Sequence, residues 1–196
     1  MAEIARPYRQ IARAVATDDT RRRIVAAFEA ALQARPMEDI TLDGVAAEAG
    51  TTRQTVIRLF GGKEGLMTAL TEKLSGDVRG RRSLPERATP AQAVRAVVAD
   101  YEAMGDFIIR VLAQEESHPV LGIWLNTGRA KHRAWIGETF GHALPPEPPR
   151  REAVITQIVI AADVYTWKLL RRDFQLSVEQ TEALMAGMIV KLLQGE

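Results

Sequence analysis

Apolar residues recur along this chain at intervals of three and four, with almost no strict alternation, so the pattern predicts helices and no sheet. Ile24, Ala27, Phe28, Ala31 and Leu32 form the stripe of a first helix, with Thr20 in place to cap it and an end before Pro36. Leu42, Val45, Ala46 and Ala49 form a second stripe behind a Thr41 cap, and Gly50 suits the left-handed turn that stops it. Thr52 caps a third helix that ends near Phe60, and a fourth runs from about Lys63 past Leu66, Leu70 and Leu74. Residues 1–18, rich in Arg and Ala, are either a frayed arm or an extra helical turn.

The composition then turns abruptly to glycine, proline and charge over residues 76–90, which reads as a linker between two helical units. Beyond it, helical patterns occupy residues 91–116, 120–143, 152–174 and 178–194, the last capped by Ser177 with Gln180 at capping-box spacing. The expected organisation is an arm (1–18), a small helical unit (19–75, its fourth helix a connector), the linker, and a larger helical unit (91–196).

The third helix has two faces that disagree about water. Val56, Leu59 and Phe60 require a core, whereas Arg53, Gln54, Ile57 and Arg58 gather on the other side. Two helices crossing steeply through a short turn need a small residue at the crossing, a permissive residue in the turn and an apolar anchor beyond it, and Ala46, Gly50 and Val56 fill those places. Arginine reaches guanine with two hydrogen bonds, glutamine does the same for adenine, and an exposed isoleucine meets a thymine methyl. A helix-turn-helix presenting this face to the major groove follows.

Composition changes this picture little. With 46% hydrophobic and 26% charged residues, the chain has the makings of a packed core and not of a disordered polymer. Residues 1–82 carry 14 Lys and Arg against 11 Asp and Glu, net +3, and the remainder 12 against 14, net −2, a weak lean of positive charge toward the first unit. There is no cysteine, which excludes disulfides and thiolate metal sites; no export leader and no membrane-spanning run is read, so a cytoplasmic location is expected. His118, His132 and His142 lack metal-ligand spacing and the GGKEG at Gly61 lacks the parts of a phosphate-binding loop, so no enzyme, metal or cofactor is expected.

The run from Thr20 to Leu70, above all ITLDGVAAEAGTTRQTVIRLFGGKEGLMTAL, resembles the amino-terminal DNA-binding domain of the TetR family of transcriptional regulators. The matching places are Gly50, Thr52, Thr55, Ile57, Phe60 and Lys63-Glu64. The resemblance implies an all-α fold, in which a three-helix DNA-binding domain precedes a helical ligand-binding and dimerisation domain. It implies DNA contacts from Thr41, Thr52, Arg53, Gln54, Thr55, Ile57 and Arg58, with Lys63 on a phosphate. Where Ile57 stands, the family usually has an aromatic, often tyrosine, so a phosphate-bonding hydroxyl is missing here.

In the second unit Tyr101, Met104, Phe107, Trp124 and Trp135 suit either a packed core or an apolar pocket. The resemblance favours a pocket for a small-molecule effector, with Asn126, His132 and Asp163 as polar contacts. The last two helices are apolar over more than one face. Val154, Ile158, Ala161 and Tyr165, with Leu184, Met185, Met188, Ile189 and Leu192, are expected to form a homodimer interface. The reading is a homodimeric repressor released from a palindromic operator by an apolar or amphipathic ligand. The alternative is a helical ligand-binding or sequestering protein with a degenerate helix-turn-helix.

Overall fold

The computed structural model describes residues 5–195, with side chains from residue 14 onward, and every regular element among them is helical. Contacts divide the chain into two compact units, Met1–Lys73 and Leu74–Glu196.

In the first unit α1 spans Ala5–Ala34. The predicted start at Thr20 is wrong: Thr20 lies inside the helix, and its hydroxyl donates to the Ala16 carbonyl one turn back. Of the expected arm, residues 1–4 lie outside the described residues, and from Ala5 onward the chain is already helical. A 3-10 turn, Met37–Asp39, leads to α2 (Leu42–Glu48), α3 (Arg53–Phe60) and α4 (Lys63–Arg81). Ile24, Phe28, Leu32, Ile40, Val45, Val56, Leu66, Met67 and Leu70 close into the core of this unit. The crossing of α2 and α3 uses the predicted residues: Ala46 and Val56 are buried, and Gly50 adopts φ +60° in the turn between them. Gly65 fixes the next junction, because a Cβ there would lie 1.8 Å from the Phe60 carbonyl oxygen.

The expected linker is shorter than residues 76–90, since α4 continues to Arg81 and the boundary between the units falls inside it. In the second unit α5 (Pro90–Leu112) starts at a capping box of Thr89 and Gln92 with proline in the first turn. It is followed by α6 (Pro119–Phe140) and α7 (Pro148–Ala161). The single helix expected over 152–174 is broken: α7 stops at Ala161, Asp163 caps α8 (Val164–Lys168), and a π-helical turn, Leu169–Asp173, completes the segment. The last helix, α9 (Val178–Gln194), carries the predicted Ser177–Gln180 box.

Residues 148–173 are long and apolar enough to cross a membrane by composition, yet Val154, Ile155, Ile158, Val164, Trp167 and Leu170 are buried in the core of this unit. Trp167 sits at its centre. Its ring lies over Gly105 of α5, its Nε1 donates to Glu102 at 2.7 Å, and the Arg172 guanidinium stands 4.5 Å from its ring.

Candidate nucleic-acid interface

The third helix is short, eight residues, and its ends are held by side chains as much as by its own turns. The Thr52 hydroxyl oxygen accepts the Thr55 amide at 3.2 Å, and the two threonine hydroxyls pair at 3.0 Å, so Thr55 belongs to the cap as well as to the surface. Thr41 caps α2 in the same manner, accepting the Gly44 amide at 3.0 Å. With Val56 fully buried, the opposite face is forced outward. Arg53, Gln54, Ile57 and Arg58 are all exposed, Ile57 at 43%, and Arg53 makes only a loose 3.7 Å pair with Asp43. The structure therefore brings the four expected reading residues onto one free surface.

Lys63, expected on a phosphate, has a partner within the chain. Its Nζ donates to the Met37 carbonyl at 3.0 Å in a half-buried position, tying the start of α4 to the 3-10 turn before α2. Sequence reasoning missed two further cations, Arg21 and Arg23 of α1, which bond the Leu59 and Ala49 carbonyls at 3.0 and 2.6 Å. The basic triplet Arg21-Arg22-Arg23 was visible, but a basic run gives no hint that two of its members bond helix-end carbonyls.

Residues 24–70 match the sequence model of the bacterial regulatory proteins of the tetR family. Over this stretch the chain carries a tetR-family domain. A search of curated proteins by sequence finds no match. Among solved structures, a transcriptional regulator from Rhodococcus sp. Rha1 is similar over 89% of this chain and 96% of its own, with a TM-score of 0.69 at 17% identity. A TetR-family transcriptional regulator from Streptomyces coelicolor is similar over 91% and 90%, with a TM-score of 0.64 at 18% identity. At such identities the likeness shows the fold, and it extends well past the TetR-family domain.

In the unit that follows the TetR-family domain, each of the expected effector residues has a partner within the chain. Tyr101 is buried and its hydroxyl donates to the Ala162 carbonyl at 3.1 Å; burial pushes its pKa up to about 12, so it remains a neutral donor. Phe107 packs against Trp124 with ring centroids 5.9 Å apart, and Met104 lies 3.3 Å from the Arg81 guanidinium. The Trp135 Nε1 donates to the Arg82 carbonyl, and its ring stacks on His132. The His132 Nδ1 accepts from Arg82 at 2.8 Å. Burial first, then the Arg82 charge, pushes its pKa down to about 3, so it is neutral at physiological pH. Asn126 accepts from Arg129, and Asp163 is the cap of α8.

The expected dimer residues separate into two sets. Val154, Ile158, Ala161, Met185 and Ile189 are buried within the chain's own second unit and present no surface to a partner. Tyr165 (56%), Leu184 (49%) and Met188 (38%) are exposed, Leu192 half-buried. Ile160, Leu169, Phe174 and Val190, outside the expected set, are exposed as well. Between Ile160, Thr166, Met188 and Leu192 lies an open, largely apolar groove of about 360 Å³.

Proposed function

We propose that this chain is a sequence-specific DNA-binding transcriptional regulator that reads a palindromic operator as a homodimer through α3. The observation that carries the reading is the outward face of Arg53, Gln54, Ile57 and Arg58 on a helix capped by Thr52 and anchored by Val56. Arg53 and Gln54 offer the donors and acceptors that base edges require, Ile57 the apolar contact, and Arg58 and Thr52 the groups that a phosphate accepts. Repression, with release by a small apolar or amphipathic effector among Tyr101, Phe107, Trp124 and Trp135, extends the reading. Because Phe107 and Trp124 pack against each other, an effector held between them requires the two rings to part.

The test is selection of bound duplexes from fragmented genomic DNA, followed by sequencing. Enrichment of one palindrome supports the regulator; no enrichment favours a ligand-binding protein with a degenerate helix-turn-helix. On the enriched site, Arg53→Ala should relax preference at one base pair of each half-site at a cost of about 1–3 kcal/mol. Equal weakening on every sequence would move the reading face elsewhere.

The partner surface is proposed to be the exposed strip of Ile160, Tyr165, Leu184 and Met188, since an apolar groove beside it gives a second copy something to fill. Met188→Glu should sediment as a monomer at micromolar concentration, keep its helical fold and lose the palindrome. A wild-type chain that sediments as a monomer under the same conditions would end the homodimer reading.

A further inference from the structure

We infer that Arg21 and Arg23 of α1 are positioning residues that set the angle at which α3 is presented, an inference that rests on α3 being the reading helix. The last carbonyls of any helix lack partners in their own helix and carry its negative end. In this domain two such ends receive an arginine from the same stretch of α1. Arg21 Nη1 donates to the Leu59 carbonyl near the end of α3 at 3.0 Å, and its guanidinium carbon stands 4.6 Å from the centre of the Phe60 ring. Arg23 Nη1 donates to the Ala49 carbonyl at the end of α2 at 2.6 Å, beside the Gly50 turn. Arg23 is itself aimed: its Nε donates to the Asp19 carboxylate at 3.2 Å and its Nη2 to the Thr20 hydroxyl at 3.4 Å.

Neighbouring Ile24, Val25 and Phe28 bury α1 in the core of the unit, so both arginines project from a fixed rail. One rail therefore grips the two helices of the motif by their carbonyl ends, and loss of either grip leaves α3 free to tilt. Lysine does not replace this, because the planar guanidinium bonds a carbonyl while lying against a ring or a carboxylate. Arg22 lies between them, mostly exposed, 3.6 Å from Asp19, and serves as the control.

The experiment uses the full chain with Arg21→Ala, Arg23→Ala, Arg21→Lys and Arg22→Ala, on the duplex that the wild type selects from a random-sequence library and on a scrambled duplex, across a salt series. Arg21→Ala and Arg23→Ala should each weaken the selected duplex about tenfold, as loss of a charge-assisted hydrogen bond implies. They should leave the scrambled duplex and the salt slope unchanged, with Arg21→Lys only partly restoring preference and Arg22→Ala matching the wild type. Equal weakening of both duplexes with a salt slope lower by about one would make them phosphate contacts and overturn the proposal. Amide exchange measured without DNA decides independently: Arg21→Ala should speed exchange of the Gly61 amide, which bonds the Ile57 carbonyl at 2.7 Å, while α1 amides at Phe28 and Leu32 keep their rates. If the wild type selects no sequence, the DNA-reading proposal fails, and unchanged exchange at Gly61 sinks the positioning role by itself.

Discussion

Gly105→Ala is expected to destabilise the second unit by about 3 kcal/mol, the upper range for overpacking a filled core, and to lower its melting temperature by several degrees. The added Cβ would lie 2.4 Å from Trp167 Cζ3 and 2.6 Å from Cη2, and neither side has room to give. Trp167 is fully buried, its Nε1 is held by Glu102, and Arg171 and Arg172 brace the following turn through ion pairs to Glu102 and Asp106. Calorimetry of Gly105→Ala, Trp167→Phe and the double variant makes the test specific. Phenylalanine withdraws the ring atoms that clash, so the alanine should cost less in that background, and the double variant should be more stable than the sum of the two single losses. A Gly105→Ala protein that melts with the wild type would mean that α5 and α8 are not in the contact described.

Asp100→Ala is expected to cost about 3–5 kcal/mol, because it strands a buried cation. The Asp100 carboxylate is 1% exposed and accepts from Arg81 at 2.6 Å and from Arg82 at 2.9 Å. The two partners are unequal: the Arg82 side chain is 8% exposed and Arg81 34%. Arg82 also donates to His132 and stands 5.5 Å from the Tyr101 ring and 5.3 Å from the Trp135 ring, so it cannot swing to solvent without opening that cluster. Arg81→Ala should cost less than Asp100→Ala, because Arg81 is the more exposed cation and Asp100 keeps its pair with Arg82. Replacing both buried charges, Asp100→Leu with Arg82→Met, should recover most of the loss. Thermal melts in which Asp100→Ala and Arg81→Ala behave alike would contradict the burial argument.

These two sites also mark what could be read from sequence and what could not. Local chemistry was legible: Thr41, Thr52 and Ser177 cap the helices they were expected to cap, since a cap depends on residues three positions away. The outward face of α3 was legible because Val56 fixes which side is inward. Thr20 misled because a threonine hydroxyl bonds the carbonyl four residues back as readily as it caps, and Pro7 falls in the first turn of α1, where a helix tolerates it. Gly76 and Gly80 suggested a linker, each costing a helix about 1 kcal/mol relative to alanine, yet α4 passes through them to the arginines that Asp100 anchors. That anchor lies 19 residues beyond Arg81 and no local window contains it. The dimer stripe failed in part because periodicity identifies an apolar face without saying whose core it enters. Val154, Ile158 and Met185 fill the chain's own core, whereas Tyr165, Leu184 and Met188 of the expected set stay exposed, with Ile160 beside them.

All three tryptophans, Trp124, Trp135 and Trp167, fall in the unit Leu74–Glu196, and none in Met1–Lys73. Intrinsic indole emission therefore reports one unit and is blind to the other, with no label introduced. Trp167, enclosed and bonded to a carboxylate, should shift its emission to longer wavelength when its surroundings open to water. Ellipticity at the helical band records both units. Divergence of the two optical signals along a denaturant titration thus separates the melting of the unit Met1–Lys73 from that of Leu74–Glu196 in a single unmodified sample.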